Sequence, residues 1–199
     1  MVRLTRQGSG TEIDRAVTTR RGFIQAGGAV LAGLALPPWW FAPGRAAGVT
    51  EIAMRSDALG SKVWFDPVGI FVAPGTTIRW VVKENVHTAT AYHPKNGHHS
   101  LRIPEGAEPW DSGFLVNPGD HFDMTLTVPG VYDFFCMPHE AAGMVGRVVV
   151  GKSGGPGALP FDYFKGKAGT GDWLAVPAAA QRTFPGIERI LHERIVRSG

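Results

Sequence analysis

Hydrophobic and polar residues alternate with period two along most of the stretch from Thr50 to Val150. Lys62-Val63-Trp64-Phe65-Asp66 and Gly69-Ile70-Phe71-Val72 are short apolar runs. Thr76 to Val82 alternates and is rich in β-branched side chains, which suit a pleated, half-buried surface. His121 to Val128 alternates again, and because successive strand side chains point to opposite faces it sets Phe122, Met124, Leu126 and Val128 on one side. Val131 to Phe135 and Met144 to Val150 close the series, with Pro74-Gly75, Pro118-Gly119-Asp120 and Pro129-Gly130 as turns between runs. Seven or eight short strands with no helical period predict an all-β sandwich whose inward positions form the core. Trp64, Trp80 and Phe134 are expected in that core. Tyr132 is either the corner tyrosine of a sandwich or a cross-strand filler. Ala91 to Gly113 has no clear period and is expected to be irregular.

Both flanks break the alternation. Residues 1–17 are polar, Thr18-Thr19-Arg20-Arg21-Gly22-Phe23-Ile24 follows, and an Ala/Gly/Leu run leads to small residues at Ala46 and Ala47. A charged start, a moderately apolar stretch and a small-residue end have the form of a cleavable export signal. Paired arginines followed by Phe-Ile resemble the twin-arginine signal, so residues 1–47 are expected to engage the Tat translocase. The alternative is a leader kept as an anchor, since Gly22 to Pro43 has one polar side chain, Gln25. No later segment holds 18 consecutive apolar residues, so the exported chain is expected to be soluble. At the other end, Lys152-Ser153-Gly154-Gly155-Pro156-Gly157 reads as a linker. After it Ile187, Ile190, Leu191 and Ile195 recur at helical spacing. The expected division is therefore 1–47 signal, 48–154 β domain, and 155–199 linker with a short amphipathic helix. That segment packs its apolar stripe on the sandwich, docks to a partner or membrane surface, or is a disordered tail.

Composition narrows the chemistry. The chain has 199 residues, 20 Lys and Arg against 17 Asp and Glu, seven His and one Cys. A hydrophobic fraction of 44% supports a packed core and excludes disorder throughout. A single Cys excludes an intramolecular disulfide framework and any four-cysteine metal site. The net charge of +3 invites a nucleic-acid reading until it is divided. Residues 1–47 carry six Arg against Glu12 and Asp14, +4; residues 48–154 carry eight basic and eleven acidic residues, −3; residues 155–199 carry six and four, +2. The excess belongs to the leader, the remainder sits near −1, and no nucleic-acid partner is expected.

The one Cys stands in Cys136-Met137-Pro138-His139-Glu140-Ala141-Ala142-Gly143-Met144, between two expected strands. A thiolate, an imidazole and a thioether on one short loop can converge on one ion, and that donor set suits copper. A trigonal site of two His and one Cys needs a further imidazole. His87 is the best candidate because it follows the strand from Thr76 to Lys83, with His93 as the alternative. His98, His99 and His121 are expected in solvent or at most on a weaker second metal.

These residues resemble the plastocyanin-like type 1 copper proteins. The resemblance rests on Phe135-Cys136-Met137-Pro138-His139 through Ala142-Gly143-Met144, on Phe71-Val72-Ala73-Pro74-Gly75, on Ile78-Arg79-Trp80 and on Asn85-Val86-His87, and it covers roughly residues 50–151. It implies a Greek-key cupredoxin sandwich binding one copper ion. His87 and His139 would each give a ring nitrogen, Cys136 its thiolate and Met144 an axial sulfur. Most relatives carry Asn after the first His, where it ties the two ligand loops; here Thr88 stands in that place.

The resemblance implies a one-electron carrier, and the signal implies that it works outside the cytoplasm, in the periplasm or at another extracytoplasmic site. A cytochrome or a membrane redox complex would dock transiently near His139, where Met137, Pro138, Ala141 and Ala142 suit an apolar patch. The alternative is a copper carrier or storage protein with the same ligands and no redox duty. An enzyme is not expected, because a second copper site would need a further histidine cluster, and the remaining histidines offer no His-x-His pair.

Overall fold

A computed structural model describes residues 48–198 of the chain. The expected leader, with Arg20 and Arg21, lies outside the described residues.

The alternating runs form two sheets. The first contains β1 (Val49–Ser56), β2 (Val63–Asp66), β4 (Thr76–Val82) and β6 (His121–Leu126), in the order β2-β1-β4-β6. The second contains β3 (Gly69–Val72), β5 (Thr90–Ala91), β7 (Gly130–Phe135), β8 (Val145–Val150) and β9 (Ile195–Val196), in the order β5-β7-β8-β3-β9. Strand β1 runs parallel to β4 and β3 parallel to β8; the other pairings are antiparallel. Eight strands fall where the sequence predicts the sandwich, and the ninth comes from the C-terminal extension.

The inward faces meet in one large cluster that includes Ile52, Phe65, Ile78, Trp80, Tyr132, Phe134, Val148 and Val150. Phe134 meets Trp80 edge to face at 5.3 Å and Phe65 at 4.8 Å. In β6 the inward Phe122, Met124 and Leu126 alternate with exposed partners, as period two requires. Tyr132 takes the corner role: its hydroxyl donates to the Val128 carbonyl at 2.6 Å, four residues upstream. Trp64 is not in the core. It is half-buried, with Lys62 at 5.4 Å and Arg55 at 6.0 Å over its ring.

Every residue of β7 and β8 is buried, on both faces. The extension after residue 154 explains this. It forms a 3-10 turn at Pro156–Ala158, then α1 (Ala178–Thr183), α2 (Ile187–Glu193) and β9. Ile190 and Val196 bury Val68, Val131 and Val149; Val176 and Ala180 bury Tyr92, Phe135 and Val145. Each Val, Ile or Phe side chain among them contributes about 1.5–3 kcal/mol on burial. The expected single helix is thus two short helices and a strand. The helical period ends at Glu193 because Arg194 takes φ of 67°, and its guanidinium lies 4.0 Å over the Phe71 ring. Ile195, counted on the helix from sequence, pairs with Ile70 in β9 instead. No helix among the described residues is long and apolar enough to cross a membrane.

A buried ion triad secures this layer. Asp133, fully buried in β7, accepts from Arg102 Nε at 2.7 Å and from Arg147 Nε at 2.7 Å. Arg102 donates onward to the Gly157 carbonyl at 2.8 Å and Arg147 to the Pro185 carbonyl at 2.9 Å. Phe161 and Phe184 cover the two guanidinium groups, at 4.2 and 4.9 Å. Gly157 is required there, since a Cβ would stand 2.5 Å from the Val131 carbonyl oxygen. The segment read from sequence as a linker is therefore pinned to the sheet at Gly157.

Candidate metal centre

Cys136 directly follows β7, whose burial on both faces fixes its position. The chain then makes a 3-10 turn over Met137–Ala142, helped by a proline in its first turn, and Gly143 ends the turn at φ of 88°. The Cys136 amide donates to the Met144 carbonyl at 3.0 Å, the His139 amide to the Cys136 carbonyl at 3.0 Å, and the Met144 amide to the His139 carbonyl at 3.1 Å. These bonds close the loop on itself, so that Cys136, His139 and Met144 are held by one compact backbone unit. Cys136 and Met144 are both fully buried and belong to the main core.

His87 arrives from the opposite sheet. Its backbone exchanges two hydrogen bonds with Leu115, at 3.1 and 2.9 Å, which fix it in a short bridge beyond β4. Its ring is fully buried. The Cys136 sulfur lies 3.6 Å from His87 Nδ1 and 3.3 Å from His139 Nδ1, and the ligand atoms of the three residues lie within 4.8 Å of one another. Metal–sulfur and metal–nitrogen bonds of about 2.3 and 2.0 Å place neighbouring ligand atoms about 3.5 Å apart, so one ion fits between these side chains. His93 is not part of the group: its Nδ1 faces the Lys95 amide at 3.1 Å.

The electrostatics suit a metal. Burial pushes the Cys136 thiol up to about 11, against hydrogen bonds from Thr88 and His139 that favour the thiolate. Burial, aided by the neighbouring His139, brings His87 down to about 4, and burial also lowers His139. Both imidazoles are therefore neutral at pH 7 and have a lone pair to offer. The thiol needs a cation to ionise, which a bound metal provides. The imidazole Nε2 of His87 is buried without a protein partner.

Thr88 fills the place where the resemblance expects Asn. Its amide donates to the Cys136 sulfur at 3.3 Å, and its hydroxyl oxygen accepts from the Met137 amide at 2.8 Å. The two ligand loops are tied after all, through a shorter side chain. The hydroxyl lies 3.0 Å from that of Thr90, which reaches Asp111 Oδ1 at 3.0 Å. Donors and acceptors fit in one direction only: Met137 amide to Thr88, Thr88 to Thr90, Thr90 to Asp111.

Three further residues brace the loop, and sequence reasoning missed them. Glu140 accepts from the Tyr92 hydroxyl at 2.6 Å and faces His99 Nε2 at 3.0 Å. His99 also faces the Asn96 carbonyl through Nδ1 at 2.6 Å and stacks on Phe135 at 4.3 Å. It was expected in solvent; only 13% of its side chain is exposed. His98 and His121 are exposed, as expected, with His98 paired to Asp172. Glu140 could have been noticed from its place within the ligand loop, but its partners lie 48 and 41 residues away.

Of the three clustered side chains, His87 and Cys136 are buried and His139 is only half-buried. Met137, Pro138, Ala141 and Ala142 around His139 are exposed and form the expected apolar rim.

Residues 52–151, half of the chain, match the model of copper-binding proteins of the plastocyanin/azurin family. A chloroplastic plastocyanin from Hordeum vulgare is 38% identical over an alignment of 112 positions that covers 49% of this chain and 64% of that protein. The chain thus spans just under two thirds of the barley protein's length. A pseudoazurin from Paracoccus pantotrophus is 32% identical over 110 residues, 55% of this chain and 68% of that one. Among solved structures, a pseudoazurin from Sinorhizobium meliloti aligns with a TM-score of 0.49 at 26% identity, covering 73% of this chain and 95% of that one.

Proposed function

Because the chain belongs to the plastocyanin/azurin family of copper-binding proteins, we propose that it is an extracytoplasmic one-electron carrier, with one type 1 copper ion held by His87, Cys136, His139 and Met144. The observation that carries this reading is the convergence of two imidazole nitrogens on one buried thiol, from two loops that Thr88 binds together. When bound, copper supplies a one-electron couple between its two oxidation states.

The protein's part is to keep the ligands still. His87 is held by its bridge to Leu115, Cys136 by the Met144 carbonyl and the Thr88 amide, and His139 by the closed loop. Ligands fixed by hydrogen bonds that do not change with the site's charge need little rearrangement when an electron arrives or leaves. The half-buried His139 supplies the route out, and the apolar rim around it supplies a contact surface. A cytochrome or a membrane redox complex docks there briefly, in the small-interface range that permits fast turnover.

This is electron carriage and not substrate turnover, in keeping with the plastocyanins and pseudoazurins that the chain resembles. Delivery to the periplasm by the twin-arginine pathway is supported by Arg20-Arg21-Gly22-Phe23-Ile24 ahead of the Ala/Gly-rich run.

Visible absorption and voltammetry of the copper-loaded protein test the reading. The oxidised form is expected to absorb intensely through thiolate-to-copper charge transfer and to take up one electron reversibly, and Cys136→Ser to abolish the band. A colourless copper-loaded protein, or an unchanged band in Cys136→Ser, overturns it.

A further inference from the structure

Helix α1 of the C-terminal extension is packed on the residues that flank both sulfur donors. Phe135 precedes Cys136, Val145 follows Met144, and the two face each other across β7 and β8. Ala180, fully buried in α1, shares one apolar cluster with Phe135, Val145 and Tyr92. The last turn of α1 then meets the ligand loop itself. The Thr183 hydroxyl donates to the Ala179 carbonyl at 3.1 Å, and both oxygens face Gly143. A Cβ on Gly143 would stand 2.7 Å from Thr183 Oγ1 and 3.4 Å from the Ala179 carbonyl oxygen.

Gly143 is tied to two of the proposed ligands. Its amide donates to the Glu140 carbonyl at 2.8 Å, Met144 follows it directly, and the Met144 amide donates to the His139 carbonyl at 3.1 Å. A push on Gly143 therefore reaches Met144 through one peptide and His139 through one hydrogen bond. The helix is fixed from behind. Just past its end the Pro185 carbonyl accepts from Arg147 at 2.9 Å, Phe184 covers that guanidinium at 4.9 Å, and Arg147 is paired with the buried Asp133. Helix α1 is thus held between the ion triad on one side and the ligand loop on the other. Thr88 supports that loop at Met137, Tyr92 and His99 support it at Glu140, and α1 supplies a third support at Gly143.

We propose that α1 is part of the metal centre: Thr183 and Ala180 are positioning residues that hold Met144 in place and so set the balance between the two copper oxidation states. The proposal rests on the copper-site reading and gives a redox role to residues outside the matched segment 52–151. Thioether sulfur selects copper(I). A displaced Met144 is therefore expected to cost the reduced form more than the oxidised form and to lower the potential. Residues that orient metal ligands from outside typically matter about ten- to a hundredfold in affinity.

The test compares the copper-loaded protein and its variants by voltammetry and by competition with a copper(I) chelator. Gly143→Ala sets a Cβ against Thr183 and is expected to weaken copper(I) binding about tenfold or more, with a lower potential. Thr183→Ala removes the opposing oxygen and leaves only the 3.4 Å approach to Ala179, an ordinary contact distance. In that background Gly143→Ala is expected to lose most of its effect, a non-additivity that marks direct contact. Thr183→Ile, at an exposed position, puts a carbon branch where the hydroxyl stands and is expected to shift both quantities the same way, even if Gly143→Ala does not fold. Gly169→Ala is the control. Gly169 shares the left-handed backbone, with φ of 76° against 88°, but a Cβ there meets nothing within 4 Å, so affinity and potential are expected to stay unchanged.

Equal effects of Gly143→Ala with and without Thr183→Ala overturn the proposal, as does a loss of stability in Gly143→Ala or Thr183→Ile with no change of potential. The charge-transfer band of the oxidised wild type is recorded alongside. Its absence would sink the copper-site reading, whereas a normal band with a potential indifferent to these substitutions would sink only the role of α1.

Discussion

The Thr88 hydroxyl oxygen lies 2.8 Å from the Met137 backbone nitrogen, so the residue after one ligating imidazole is bonded to the residue after the thiol. Removing this bond leaves an amide donor without its acceptor in a part-buried site and breaks the chain to Thr90 and Asp111. Thr88→Val, which keeps the shape and loses the hydroxyl, is expected to cost about 1–3 kcal/mol. Thr88→Asn keeps an acceptor and is expected to cost less. Chemical denaturation of the copper-loaded variants measures both.

Metal binding is expected to release a proton. Without metal, the Cys136 thiol is protonated up to about 11, and the His87 imidazole is neutral above about 4. Between pH 7 and pH 10 only the thiol has a proton to lose, so copper(I) affinity is expected to rise about tenfold per pH unit. Competition with a chelator at several pH values checks the slope. A flat profile would mean that the thiol is already ionised or does not ligate.

His99 gives stability its own pH dependence. Burial alone lowers its pKa, but the Glu140 carboxylate and the Asn96 carbonyl outweigh burial and raise it overall. A group raised in the folded state contributes fully below its unfolded value near 6.5 and loses that contribution as pH rises through the folded value. Glu140→Gln is therefore expected to destabilise the copper-loaded protein by about 1–3 kcal/mol at pH 6, and by less at pH 9. A gap between wild type and variant that does not narrow with rising pH would exclude this ion pair.

Asp133 carries two buried arginines. Asp133→Asn leaves Arg102 and Arg147 without their counter-charge and is expected to cost about 3–5 kcal/mol. Because these arginines also hold the Gly157 and Pro185 carbonyls, the loss is expected to loosen the extension first. Limited proteolysis should then cut within residues 155–198 before the sandwich. Cleavage that begins in the sandwich would contradict this order.

The sandwich and three of the four proposed ligands were legible because their signals are local. Period two marks a strand wherever one face is wet, and Cys136, His139 and Met144 stand close together in one loop. His87 was found from the end of its strand. The rest depends on pairs far apart in sequence. Asp133 sits at an outward position of β7 and reads as solvated, until Arg102, Arg147 and the extension cover that face. His99 reads as a loop histidine until Glu140, in the ligand loop, is folded against it. Ile195 fits the helical period, but the backbone turns at Arg194 and the strand next to it decides its fate.

The two-residue strand β9 has a consequence out of proportion to its length. It occupies the outer hydrogen-bonding side of β3, where the Val68 amide meets the Val196 carbonyl at 2.9 Å and the Phe71 amide meets the Arg194 carbonyl at 2.8 Å. A chain truncated before Arg194 would present that row of amides and carbonyls to other molecules, and an open sheet edge is a template for self-association. Strand β9 thus serves as a guard against aggregation, so truncation before Arg194 should show as a loss of solubility before it shows as a loss of colour.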